Sequence, residues 1–522
     1  MKQLNRTTNH NVVAWILLLM TATALWVHPT TVIPYHSTIF TNQLEPLKLS
    51  SKSQRLNSQV NQLQESAWIT PSHSVVSLPN MSREGVEPNI TSTVGAFDGY
   101  NLFVLAEQNR VNPKPFGKQN RSLMVTNMEG ELIRGNEAIS FPHGTWVANC
   151  AKFINVTTLV FLTKKGTTLW NIYDNTTTYL GFWGHHDFEY NPLNNTIFTF
   201  WYYITEINGK PYSFDIILEY DLTGQLVWSL DTGSFLSHTQ WCPFRDMIEG
   251  ARDIAHSNSL FFDPDEEALY YHARNLNTFY KIDHKTGRVL WGLGEYGDFT
   301  LFDRHGNQRH NLFYHAHAVE KVDDNTFILF DNDYHNQTNP NNHRSRLLEI
   351  TINETTMTAY ESWVWVAPPD YYSSAYGDAD RLPNGNRLGT FGDGYHPASN
   401  IGARLVEVNA TGHIVWEMNF PRTEKFLYSV YRIERFRLSP ILSSPPDIQV
   451  LSTNDARVSW QTWYNFRTNR RMRGTYTLYL DGKPIEYGPH VFDKFWRPTN
   501  LTFTLGRLEA GVYNLTLVLA DD

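Results

Sequence analysis

Three eight-residue stretches, DLTGQLVW (221–228), HKTGRVLW (284–291) and NATGHIVW (409–416), share one design: a glycine turn, then a short strand closed by tryptophan. Looser copies are MEGELIR (128–134), DNTTTYLGFW (174–183) and NETTMTAYESWVW (353–365). A second element precedes the copies, two alternating apolar strands around a turn-forming tip. It is seen in FEYNPLNNTIFTF (188–200), LFFDPDEEALYY (260–271), VEKVDDNTFILF (319–330) and DRLPNGNRLGTF (380–391). Asn-Pro, Asp-Pro and Pro-Asn-Gly tips favour tight reversals, and apolar alternation with period two favours strands. Six copies of a several-stranded unit over about 350 residues predict an all-β chain with a six-bladed β-propeller across 85–438. An open solenoid is the lesser alternative, because distinct capping repeats are not visible. After SPILSSPPD (439–447) the repeat stops. VSWQTWY, GTYTLYLDGKPIEYG and LEAGVYNLTLVLAD then predict a small immunoglobulin- or fibronectin-like β-sandwich over 445–522.

The N-terminus differs in kind. Lys2 and Arg6 precede the apolar run VVAWILLLMTATALWV (12–27), which predicts a signal peptide or signal anchor within 1–30. Residues 31–84 carry little periodicity and are expected to form a stalk or linker. The rest of the chain is then expected in the secretory pathway, as a single-pass membrane protein with a lumenal domain or as a secreted one. Glycosylation patterns occur at Asn80, Asn89, Asn120, Asn155, Asn175, Asn194, Asn336, Asn353, Asn409, Asn500 and Asn514. Cys150 and Cys242 are the only cysteines, so at most one disulfide forms, and two free thiols are the alternative. A net charge of −9 without basic surplus argues against a nucleic-acid partner. The cluster RTNRRMR (467–473) reads as a solvated strand edge.

The candidate chemistry lies in GHHDFEYNP (184–192), AHSNSLFFDP (255–264) and HAHAVEKVDD (315–324), each at the start of a predicted inner strand. Counting back from the turn tips gives His186, His256, His315 and His317 one parity and His185 the other, provided no bulge intervenes. Inner strands of a propeller converge on a central channel, so three blades are expected to aim imidazoles at one place. Arg274, after the His256 hairpin, returns to the same end. An arginine disfavours protonation of nearby imidazoles and favours an anion between them. That points to an oxyanion substrate rather than to a metal, and no metal ligand or cofactor is expected.

GHHDFEYNP, DIAHSNSL, YYHARN with FYKID and TGRVLWGLG, HAHAVEKVDDNTFILFDND with SRLLEI, and LPNGN together resemble the arylsulfotransferases over roughly 90–420. The resemblance implies a six-bladed propeller that moves a sulfuryl group from an aryl sulfate donor to a phenolic acceptor without a nucleotide. It further implies that His317 is the nucleophile, forming a sulfohistidine, and that His256 and Arg274 bind the sulfuryl oxygens. His186 is a further ligand, and Asn258, His315 and His396 are candidate substrate-binding residues. The His315/His317 doublet leaves two candidates for the nucleophile, and a C-terminal sandwich departs from the N-terminal sandwich of bacterial members.

The chemistry is coherent without the family. In-line transfer of a sulfuryl group needs a nucleophile to hold it and cationic or N–H donors around its oxygens. No glycine-rich phosphate loop is present. Two other readings are a histidine-ligated metal-dependent oxidoreductase and a repurposed or non-catalytic ligand-binding propeller.

Overall fold

The computed structural model describes residues 12–14, 37–40, 88–111, 120–136, 150–163, 165–172, 174, 176–240, 242, 247–334, 342–392, 402–442, 445–451, 455–464, 466–506 and 512–521. They divide into two units. One holds 76–436 together with Arg467–Asn469, and the other holds the remainder.

The larger unit is a six-bladed β-propeller. Blade 1 combines Phe426–Phe436 with Tyr100–Asn109, Asn120–Thr126 and Leu132–Asn136, so the last strand of the propeller completes the sheet begun by the first. Blades 2, 3 and 4 begin at Ala151–Phe153, His185–Asn191 and Ser257–Asp263, and each continues through three further antiparallel strands. Blades 5 and 6 begin at His317–Lys321 and Asp378–Arg381, and Asn89–Ser92 adds an outer strand to blade 6. Each Gly-turn element is the hairpin between a blade's third and fourth strands, and each turn-tip element joins its first and second.

The terminal tryptophans explain why this repeat specifies a ring. Four of them pack on the following blade: the Trp228 ring lies 5.1 Å from His284, and Trp291 6.2 Å from Phe327. Trp365 Nε1 donates to Gly412 O at 3.1 Å, and Trp416 Nε1 donates to Met128 O at 2.9 Å, which carries the pattern from blade 6 back to blade 1. Burying such a ring stabilises each junction, with truncation to alanine costing about 3–5 kcal/mol.

The inner strands are irregular at one end. The pairing register shifts between His185 and Phe188, Ser257 and Ser259, His317 and Glu320, and Val430 and Ile433. A bulge turns side chains away from strict alternation. Left-handed backbone at His186, His256, His315 and Ala318 accompanies it. Farther along the same strands, carboxylates meet the three residues that rejoin this unit. Arg467 bonds Glu434 (2.5 Å), Asp380 (2.6 Å) and Glu320 (2.9 Å), while Asn469 Nδ2 donates to Tyr190 O (2.6 Å) and Glu189 (3.1 Å). Arg467 and Asn469 are buried, so this part of the basic cluster is not the solvated edge expected.

The smaller unit is a two-sheet β-sandwich. One sheet holds Val512–Asp521, Met472–Leu480 and Lys483–Phe492, and the other Ile441–Leu442, Asp447–Val450, Ala456–Trp463 and Thr499–Leu505. Phe503 packs against Trp460 within its sheet and Tyr476 across to the other. The sandwich starts at Ile441, ahead of the expected 445. Val12–Ala14 and Ser37–Phe40, within the spans expected to be signal segment and stalk, pair with Val512–Asp521. No helix among the described residues is long and apolar enough to cross a membrane, and 15–36 lie outside those residues. Asn89, Asn194, Asn353, Asn500 and Asn514 are exposed, and Asn155 and Asn409 are half-buried. Asn120 begins a strand, and Asn80, Asn175 and Asn336 lie outside the described residues. Cys150 and Cys242 are not joined in a disulfide.

Candidate active site

The bulged ends of the inner strands bring together His186, His256, His317 and Tyr431, from blades 3, 4, 5 and 1. The rings of His186 and His256 are 4.8 Å apart. Tyr431 stands between His186, at 6.3 Å, and His317, at 5.7 Å. Four blades thus contribute to one cluster, which no blade could form alone.

Each imidazole is oriented from behind. His317 Nδ1 lies 2.6 Å from Asn332 Oδ1. Asn332 Nδ2 donates to two carbonyls, Ser373 O and Tyr376 O, which fixes the amide so that its oxygen faces the histidine. An oxygen there accepts, so Nδ1 carries the proton and Nε2 the lone pair. Burial holds the His317 pKa well below the ordinary range, reinforced by the Arg274 charge, so the ring stays neutral and nucleophilic. His256 Nδ1 is 2.6 Å from Asp253 Oδ2, and the same carboxylate accepts from the His256 backbone N–H. A carboxylate behind an imidazole stabilises its cationic form. Here the carboxylate fixes the His256 ring with Nε2 turned away from Asp253.

Arg274 is buried on the single 3₁₀ turn Arg274–Leu276. Its neighbour Asn275 donates from its backbone to Ala255 O and from its side chain to Asp253 O, tying the turn to the His256 loop. Enclosure lowers the His186 pKa most, followed by the charges of His256, His185, His317 and Arg274. A pocket that disfavours added positive charge on its imidazoles, with the Arg274 cation beside them, is suited to an anion.

The bulges also correct the parity argument. His185 does not face away from His186; their Nδ1 atoms are 2.8 Å apart. His315 does not share a strand with His317. Its backbone is left-handed, its N–H donates to Asn277 Oδ1, and its Nε2 lies 3.3 Å from Cys242 Sγ. Asn258 is fully buried and bonds protein at both ends of its amide, donating to Ala316 O and accepting from His272 Nδ1, so it positions rather than touches a substrate. His396 lies outside the described residues.

Sequence reasoning missed Tyr431, Asn332, Asp253 and His272. The Tyr431 hydroxyl is buried without a protein partner among the described residues, and burial raises its pKa, so it remains an O–H donor. His272 Nε2 is likewise buried without a partner, and burial, with Arg274 and Arg432, pushes its pKa down to about 3. The phrase YYHARN held His272 in plain view; Tyr431 sits in the closing strand, where no histidine marks the register. Among the described residues, no three His, Cys, Asp or Glu side chains are grouped as a metal site.

Solved structures similar to the chain include a periplasmic gluconolactonase of Pseudomonas aeruginosa (8% identity, TM-score 0.33, covering 78% of this chain and 99% of that one). An auxiliary nutrient binding protein of Bacteroides thetaiotaomicron (10%, 0.30, 64% and 84%) and the dihydro-heme d1 dehydrogenase NirN (10%, 0.29, 88% and 88%) are others. Likeness at these scores carries no argument about function. No curated protein matches the chain. The sequence model of the Arylsulfotransferase (ASST) family matches residues 166–432, from the second blade to the closing strand, and the chain belongs to that family.

Proposed function

We propose that this protein transfers a sulfuryl group from an aryl sulfate to a phenolic acceptor through a sulfohistidine on His317. The observation that carries the reading is the His317 ring itself: its Nδ1 proton is fixed by Asn332, and its Nε2 lone pair is kept uncharged beside Arg274. In the first half-reaction Nε2 attacks sulfur in line, and the phenolate departs with the S–O electron pair. His256, oriented by Asp253, and Arg274 hold the equatorial oxygens, and the Tyr431 hydroxyl is a third donor. In the second half-reaction an acceptor phenol attacks the same sulfur and returns the electron pair to Nε2. The sulfurylated ring carries its Nδ1 proton against a neutral amide, which leaves it cationic and a good leaving group.

Incubation with a chromogenic aryl sulfate should give ping-pong turnover and a sulfuryl adduct on the His317 peptide by mass spectrometry. His317→Ala should abolish both, whereas Arg274→Ala should slow turnover by about 10²–10³-fold, through loss of a charged contact worth about 2–4 kcal/mol. His315→Ala should keep the adduct; losing it while His317→Ala retains it would reverse the assignment.

We infer further that the protein enters the secretory route and carries N-glycans. Support comes from the basic flank before the apolar run 12–27 and from sequons exposed on both units. Glycosidase treatment of protein made in a eukaryotic host should increase its mobility on a gel. An unshifted band with cytosolic fractionation would refute this.

A further inference from the structure

Resting on the sulfuryl-transfer reading, we propose that His185, paired with Asp215, is the proton reservoir for the phenols, and that His186 carries the proton between reservoir and substrate. The two Nδ1 atoms are 2.8 Å apart. Two N–H groups would clash at that distance and two lone pairs would repel, so one proton lies between the rings.

The far nitrogen of His185, Nε2, is 3.4 Å from Asp215 Oδ1. Asp215 is buried, stands to Nε2 at ion-pair distance rather than in a hydrogen bond, and accepts the Ser257 N–H at 2.8 Å. Burial alone would raise the Asp215 pKa, yet His185 and Ser257 together hold it below the ordinary range, so the carboxylate is ionised. The remaining groups against His185 are aromatic: Phe200 at 5.7 Å, Trp201 at 6.4 Å and Tyr202 at 6.1 Å. Among the described groups, Asp215 is therefore the counter-ion that can support a cation on His185. His186 has the opposite setting, among His256, His317 and Arg274, where its own cation is disfavoured. The charge rests behind, and the ring in front relays it.

The steps balance. Before transfer, His185 carries protons on both nitrogens, donating through Nδ1 to the lone pair of His186 Nδ1, while His186 Nε2–H faces the substrate. As the S–O bond breaks, the Nε2 proton passes to the phenolate oxygen, and the His185 Nδ1 proton moves onto His186 Nδ1. His186 then has a lone pair on Nε2, ready to take the proton of an acceptor phenol as that oxygen attacks the sulfohistidine. The His186 Nδ1 proton returns to His185, and the pair ends the cycle as it began. His185 is a positioning residue and proton store; His186 is the group that touches the phenol.

The test uses the full chain with His185→Gln and His185→Phe, and two donors. Dinitrophenyl sulfate releases an acidic phenol that needs no proton, and phenyl sulfate releases a basic one that does. Both variants should form the His317 adduct from dinitrophenyl sulfate within about threefold of the natural protein, and lose about 10²-fold or more with phenyl sulfate. Equal losses on both donors in both variants would make His185 a packing residue and overturn the proposal, as would undiminished phenyl sulfate turnover. No adduct from dinitrophenyl sulfate in the natural protein would instead strike the sulfuryl-transfer reading itself.

Discussion

Asn332 shows how much of this site depends on a residue that never meets the substrate. Its amide is turned by the Ser373 and Tyr376 carbonyls, and its oxygen then decides which nitrogen of His317 is free. Asn332→Ala should reduce the rate of adduct formation by about 10–100-fold, the usual cost of losing such an orienting partner. Asn332→Asp should act differently. A carboxylate would make Nε2 more basic and stabilise the cationic sulfurylated ring, so the adduct should accumulate and pass its group on more slowly. Adduct lifetime after mixing with acceptor, followed by mass spectrometry, checks this; a lifetime unchanged in both variants would remove Asn332 from the mechanism. His186, His256 and His317 were legible in the sequence because histidine at the start of a repeated strand is conspicuous. Asn332 was not singled out, since an asparagine after a strand has many uses, and only its two carbonyl partners reveal this one.

At the scale of elements, the propeller departs from regular pairing where chemistry is needed. The bulges at His185/Phe188 and Val430/Ile433 place His186, Tyr431 and Arg432 where ideal strands would not. Arg432 donates to Asp187 and to Asn258 O, linking the closing strand to blades 3 and 4. The blade pattern was readable because turns and alternation are local, but a one-residue bulge leaves no local mark and inverts parity beyond it. That is why the placements of His185 and His315 failed while the turn tips aligned. The segment supporting Asn332 is equally constrained. Gly377, next to Tyr376, has φ +138°, and a Cβ there would meet Phe330 at 2.2 Å. Gly377→Ala should destabilise the fold by about 1–3 kcal/mol and displace the Tyr376 carbonyl from Asn332. A lowered urea midpoint with slowed adduct formation is expected; a fully stable, fully active variant would contradict the packing.

Over the whole molecule, the inner strands carry more buried carboxylates than Arg467, Lys152 and Arg432 balance. Burial raises Glu189 to about 7 and Asp378 to about 8, and pushes Asp380 and Glu320 the same way. A carboxylate with a raised native pKa binds its proton more tightly folded than unfolded, so its contribution to stability falls as pH rises toward the native value. The depressed histidines act oppositely, but only below their ordinary value of 6.5. Between those limits, pH 6.5 to 8, stability should therefore decline. Asp378→Asn should flatten the decline by up to about 1.4 kcal/mol per pH unit, one proton's worth. Urea unfolding at both ends of the window measures it, and an unaltered slope would mean Asp378 is already ionised. The sequence disclosed the six blades and the later sandwich, but not this interior. Alternating strands look alike whether their polar face meets water or a closed channel, and nothing in RTNRRMR distinguishes Arg467 from its solvated neighbours.

The strand that closes blade 1 also sets when the protein becomes reactive. Phe426–Phe436 must find Tyr100–Asn109, with Arg435 reaching Asn101 across 334 positions of chain. Closing a loop of that length costs about 5 kcal/mol in chain entropy before any contact compensates for it, and contacts so distant in sequence form slowly. Tyr431 and Arg432 arrive with that strand. In chain order His186, His256 and His317 all precede that strand, so the histidine part of the site is made before Tyr431 and Arg432 are. A chain halted before residue 426 would hold His186, His256 and His317 but lack the strand that closes the ring and brings Tyr431 and Arg432 to them, so the last strand of the propeller is also the last part of the site to arrive.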